Sequence, residues 1–295
     1  GCQEEGTRNN ALYLRNITLL QTDDGFQLLG RDPATPTDET DFAEDDGSSL
    51  AFAVYDADDD GLLDVVVAND TFSTMGHDST PRELNLDLTP GATYTRCDPD
   101  EPCLYTRKHL LEGVYGWGSF MGLALLNIED QGEWLYVTDF GPNRLIQNRA
   151  TGPVDHADRY GVQIPSAHGD LLFAWSLIVD DLNRDGREDL LVSHGSTNRF
   201  GNHQSFLNHQ DLLLMQQPGG QFAALHSEVG LAPFTAADSH IEEHVYSARG
   251  WAKADLDGDG FLDLIETGLE GVPRFQAEVP TTGSAPPRCT LVPVN

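Results

Sequence analysis

LAFAVYDADDDGLLDVVVAND (residues 50–70), FAWSLIVDDLNRDGREDLLVSHG (173–195) and GWAKADLDGDGFLDLIETG (250–268) repeat one pattern three times. Each has an apolar stretch, an Asp-rich loop with a central glycine, and a second apolar stretch. The apolar stretches are about 4–7 residues long, rich in Val, Leu, Ile, Phe and Tyr, and bounded by Gly, Asp and Asn. Runs of that length and composition form strands. No apolar period of 3.6 residues is sustained over several turns, which argues against helices. The unit is therefore a strand–loop–strand hairpin, and the chain is all-β.

A degenerate copy, GLALLNIEDQGEWLYVTD, occupies residues 122–139. The four loops begin at Asp56, Asn127, Asp181 and Asp255, about 50–75 residues apart, a spacing suited to propeller blades with insertions. A polar link and another strand-like segment follow the copies, as in PNRLIQNR (142–149) and QDLLLMQQPGGQFAAL (210–225). NALYLRNITLLQTDDGFQLL (10–29) reads as the back half of such a unit. The expected organisation is a single β-propeller, or part of one, over 1–295. Repeats lie near 49–70, 119–149, 172–225 and 249–280. Residues 71–118 read as an insertion on the surface, and 31–48 as an acidic loop.

The three intact loops share D-x-[DN]-x-D-G-x-x-D. The first offers Asp56, Asp58, Asp60 and Asp64, the second intact one Asp181, Asn183, Asp185 and Asp189, and the last Asp255, Asp257, Asp259 and Asp263. Alternate residues of a tight loop converge on one centre, and glycine permits the turn. The backbone carbonyls of Leu62, Arg187 and Phe261 can add an oxygen. A hard cation taking six to eight oxygens, calcium, suits such a set. Ordinary Asp/Gly turns are the alternative for one copy. Three copies with one spacing favour ligands, because clustered carboxylates without a cation repel one another. In the degenerate copy the loop is one residue short, Asn127, Glu129 and Gln131 replace acids, and no Asp precedes Leu135, so it is expected to hold no calcium. An EF-hand fits only the last copy, where Glu266 takes the twelfth position. Val67 and Val192 stand there in the others, which removes the bidentate glutamate.

There are 48 acidic residues against 17 basic ones, a formal charge of −31. This repels nucleic acid and anionic membranes and attracts cations. Adaptation to a salty medium is an alternative source of the charge. No apolar run approaches the roughly 18 residues that span a bilayer, so no membrane insertion is expected. Cys97 and Cys103 bracket CDPDEPC and lack zinc-ligand spacing. A local disulfide fits them and points to an oxidising compartment: extracellular, cell-surface or periplasmic.

His240 and His244 match H-x-x-E-H, but the segment lacks a helical setting for zinc. His194, His203 and His209 could meet on one face. Neither a G-x-S-x-G motif, a P-loop nor a dinucleotide fingerprint occurs. Asn16 and Asn69 begin glycosylation sequons.

YVTDFGPNRLIQN, SARGWAKADLDGDGFLDLIETG and FAALHSEVGL, together with the Asp loops, resemble the FG-GAP/VCBS repeats of integrin-alpha-type β-propellers. Within these, the chain resembles the secreted UnbV/ASPIC, cartilage acidic protein-like group. The resemblance covers roughly residues 8–280, with 71–118 outside it. It implies that the Asp loops sit in hairpins between blade strands and bind calcium. About seven blades are common there, so this chain either continues into further blades or a C-terminal domain, or closes with fewer. A propeller brings its first and last blades together, which would allow Cys2–Cys289 to pair. A lipidated Cys2 is the alternative. The expected function is extracellular recognition or adhesion toward a protein or glycan ligand, with no catalysis. A polysaccharide-active propeller enzyme and a purely structural support module are the alternatives.

Overall fold

The structure is a computed structural model. It describes residues 19–22, 25–28, 49–57, 60–69, 91–96, 105–108, 120–129, 131–139, 141–149, 153–163, 173–195, 211–225, 248–258, 262–268, 274–278 and 291–294. Within them the chain is mostly β. A hairpin of β1 (Leu19–Thr22) and β2 (Gly25–Leu28) comes first. Four antiparallel sheets of four strands follow, each a meander of consecutive strands.

The first sheet holds β3 (Ser49–Tyr55), β4 (Asp64–Asn69), β5 (Gly91–Arg96) and β6 (Tyr105–Lys108). The second holds β7 (Phe120–Ile128), β8 (Gly132–Asp139), β9 (Arg144–Gln147) and β10 (Val154–Asp155). The third holds β11 (Ala174–Asp180), β12 (Asp189–His194), β13 (Leu212–Gln216) and β14 (Phe222–Leu225). The fourth holds β15 (Ala248–Ala254), β16 (Asp263–Gly268), β17 (Arg274–Glu278) and β18 (Leu291–Val294).

The segment read as an insertion is corrected here. Its residues 91–96 and 105–108 form β5 and β6 and complete the first sheet. GATYTR and YTRK are polar enough to pass for loop, and their strand character comes from pairing, β5 with β4 and β6 with β5. The strands flanking CDPDEPC pair at Arg96 and Tyr105. All four cysteines lie outside the described residues, as do His203, His209, His240 and His244.

Consecutive sheets stack face to face, with the first strands β3, β7, β11 and β15 as successive neighbours. Ala53, Tyr55 and Val66 of the first sheet meet Phe120, Leu135, Val137 and Ile146 of the second. Leu126, Tyr136 and Leu145 meet Leu190, Val192 and Leu214 of the third. Helix α1 (Ala157–Tyr160) caps this seam with Ala157 and Tyr160. Ile178, Leu191, Leu213 and Met215 meet Trp251 and Leu264 of the fourth. Strand β12 is buried on both faces, which explains its unbroken apolar run. Each such Leu or Val contributes about 1.5–3 kcal/mol on leaving water, so these seams dominate the stability.

Polar fasteners cross the seams at one repeated position. The Thr138 hydroxyl donates to the Trp175 carbonyl at 2.6 Å. The equivalent Ser193 hydroxyl lies 3.4 Å from the Arg249 carbonyl. The first strands approach so closely that a Cβ on Gly122 would stand 2.5 Å from the Trp175 carbonyl oxygen. A bulge starts every first strand, at Leu50, Met121, Trp175 and Arg249.

Candidate metal-binding loops

The Asp loops connect the first and second strands of their sheets. Tyr55 pairs with Asp64, Asp180 with Asp189, and Ala254 with Asp263, so each closing aspartate opens the second strand at one register. Strands flank every loop, as the hairpin reading requires and an EF-hand does not. Asp58, Asp259 and Phe261 lie outside the described residues.

In the loop from Asp181, the Asp181 carboxylate accepts the Asp185 amide at 2.9 Å and the Gly186 amide at 2.8 Å. Asn183 Oδ1 accepts the Asp185 amide at 2.9 Å, and Asp185 accepts the Arg187 amide at 3.0 Å. Asp189 accepts the Leu182 amide at 3.1 Å. The loop from Asp56 repeats this wiring. Asp56 accepts from Asp60 at 3.0 Å and from Gly61 at 2.8 Å, Asp60 accepts from Leu62 at 2.8 Å, and Asp64 accepts from Ala57 at 2.7 Å. In the loop from Asp255, Asp263 accepts the Leu256 amide at 2.9 Å and Asp255 accepts the Gly258 amide at 2.8 Å. One oxygen each from Asp255, Asp257 and Asp263 lies within 4.8 Å of the others.

Two backbone positions allow this folding. The sixth residue is left-handed, with φ of 86° at Gly61 and 87° at Gly186. The fourth is left-handed too, at Gly258 (80°) and Arg184 (60°). The second requirement was invisible in the motif, because only the last copy puts glycine there.

Asp64 and Asp189 are fully buried. Burial pushes the Asp189 carboxyl up to about 7; Asp185 and Asp181 add repulsion, and amide bonds from Gln216 and Leu182 act against it. Arg187 pairs with Asp185 through its guanidinium and donates Nε to the Gln216 carbonyl at 3.0 Å. The motif had marked Arg187 for its carbonyl and missed the guanidinium. Lys253 of the fourth sheet pairs with Asp180 next to this loop, and donates to the Val179 carbonyl at 2.7 Å.

The degenerate loop is built differently. Asn127 pairs with Glu133 and Ile128 with Gly132, so the ladder runs on to a short turn closed by the Gln131 amide on the Ile128 carbonyl at 2.7 Å. Trp134 takes the register of the closing aspartate. Its indole packs 4.9 Å from His156 and 5.1 Å from Tyr160. The backbone N–H and side-chain amide of Asn127 both donate to Glu188, at 2.7 and 3.2 Å.

Glu266 does not join its loop. It sits in β16, fully buried, at the register of Val67, Val137 and Val192. His194 is buried at the end of β12, its amide donated to Asp211 at 2.8 Å. Among the described residues no helix is long and apolar enough to cross a membrane. No protein-family model matches the chain, and no curated protein matches it.

Proposed function

We propose that this chain is a calcium-binding recognition protein of β-propeller type, with one calcium ion in each loop starting at Asp56, Asp181 and Asp255. The observation that carries the reading is the closing aspartate, which holds the amide of the second loop residue at one register of three similar hairpins. An oxygen-only donor set suits a hard cation. Calcium would also keep Asp189 ionised, because a nearby dication offsets both burial and the repulsion from Asp181 and Asp185. Calcium calorimetry on chelator-stripped protein is expected to show about three sites, and Asp185→Ala about two. No uptake, or a site lost on Asn127→Ala, would sink the reading.

The propeller form rests on a second observation. Phe52 and Val54 are 70% and 45% exposed. They share the register of Leu123 and Leu125, and of Leu177 and Val179, which pack between sheets. We infer that another sheet covers this face of the first one. In Phe52→Cys, peptide-mapped alkylation is expected to find the new thiol protected in the native protein. Labelling as fast as in the unfolded chain would argue for an open arc.

The recognition role is drawn from the opposite end of the sheets. The bulged positions there differ from sheet to sheet, and Arg249 lies over the Trp175 ring at 4.1 Å. A constant loop end and a variable end suit a scaffold that presents a binding face. The expected ligand is a protein or glycan outside the cell.

A further inference from the structure

The ends of β9 and β13, the third strands of the second and third sheets, reach back to the Asp-loop region of the preceding sheet. Asn148 follows β9, at the register that Gln216 takes in β13, since Ile146 pairs with Leu135 as Leu214 pairs with Leu190. Asn148 Nδ2 donates to the Ala57 carbonyl at 2.6 Å and to the Tyr55 hydroxyl at 3.1 Å. Ala57 is the residue between Asp56 and Asp58, and its own amide is held by Asp64 at 2.7 Å. One carboxamide from the second sheet therefore holds the peptide that joins two proposed calcium ligands of the first.

Gln216 repeats the reach. It is almost fully buried. Its Nε2 donates to the Asn127 carbonyl at 2.9 Å and the Glu188 carbonyl at 2.8 Å, and its Oε1 accepts the Glu129 amide at 3.0 Å. Asn127 stands where Asp56 stands in the first sheet. Gln216 also donates its backbone amide to Asp189 at 2.9 Å. The same carboxamide position thus clasps the preceding loop twice, once on an intact loop and once on the degenerate one.

We propose that Asn148 is a positioning residue for the first calcium site, so that the affinity of the Asp56 loop is set by the sheet that follows it. The inference rests on the calcium reading and adds a coupling between sites and sheet packing. A loop already held in its binding shape loses less freedom when the ion arrives. Losing the Asn148 bonds would leave a buried carbonyl unpaired in a more mobile loop. The expected effect is a loss of about five- to tenfold in affinity at that site alone.

The test is calcium calorimetry on the full chain after stripping with chelator. Asn148→Leu is expected to weaken one site of about three and leave the others unchanged. Asn148→Ala, which adds no apolar branch, should do the same. Asn148→Gln, the residue the next sheet uses, should restore affinity. In an Asp60→Ala background, where the first site is already disabled, Asn148→Leu should change nothing further. A wild-type chain that takes up no calcium overturns the calcium reading, and this proposal with it. Uptake that both Asn148→Leu and Asn148→Ala leave unchanged, or that falls equally in the Asp60→Ala background, overturns this proposal alone.

Discussion

Chelating calcium is expected to lower the melting temperature by about 15 °C or more. A ligand bound only by the native state stabilises it by about 2.7 kcal/mol at a hundredfold excess over Kd, and three loops bring this to about 8 kcal/mol. For a domain of this size 1 kcal/mol moves the midpoint by about 2–4 °C. The structural ground is the crowding of acids in the loops from Asp181 and Asp255. Asp255, Asp257 and Asp263 share one small volume, and Asp189 is buried beside Asp181 and Asp185. General charge repulsion in a chain of −31 gives a rival source of calcium dependence. The rival is separated by repeating the melts in about 1 M NaCl, where the screening length is about 3 Å. A specific calcium shift survives there, and Asp185→Ala removes about a third of it. A melting curve that chelator leaves in place, or a shift that salt abolishes, would count against bound calcium.

Gly122→Ala is expected to destabilise the protein by about 2–4 kcal/mol, with or without calcium. The added Cβ would stand 2.5 Å from the Trp175 carbonyl oxygen, 2.9 Å from Thr138 Oγ1 and 3.0 Å from Leu177 Cδ2. The nearest atom is backbone, so it cannot swing aside. The second and third sheets must move apart, with an overpacking cost of about 1–3 kcal/mol, and the Thr138 bond to Trp175 then breaks at about 1 kcal/mol more. Urea midpoints in chelator and in calcium should fall by similar amounts. Thr138→Val is expected to produce only the hydrogen-bond part. Equal midpoints for Gly122→Ala and wild type would show that the seam is looser than these distances imply.

What the sequence determined by itself is local. Strand-length apolar runs broken by Asp and Gly specify hairpins, because side-chain alternation and turn chemistry act within a few residues. The alternation of Asp and Asn with a following glycine specifies the loop shape, through amide-to-side-chain bonds between residues two to seven apart. The failure of the motif at Asn127 was legible for the same reason. Only Trp134, at the register of the missing aspartate, needed the structure to show what replaced it.

Tertiary structure decided what depends on a neighbour distant in sequence. The polar segment Gly91–Arg96 becomes a strand because β4 offers it a ladder, and Tyr105–Lys108 because β5 then offers the next one. Gly122 is required by the Trp175 carbonyl of another sheet, and Asn148 and Gln216 take meaning from loops about 90 residues earlier. Glu266 looked like a loop ligand by its spacing, yet the pleat of β16 turns it into the seam, because side chains alternate faces once a strand begins. Hairpins and their Asp loops are short-range and readable. Seams between sheets are made by residues with no fixed separation along the chain, and no pattern in one segment can announce its partner in another.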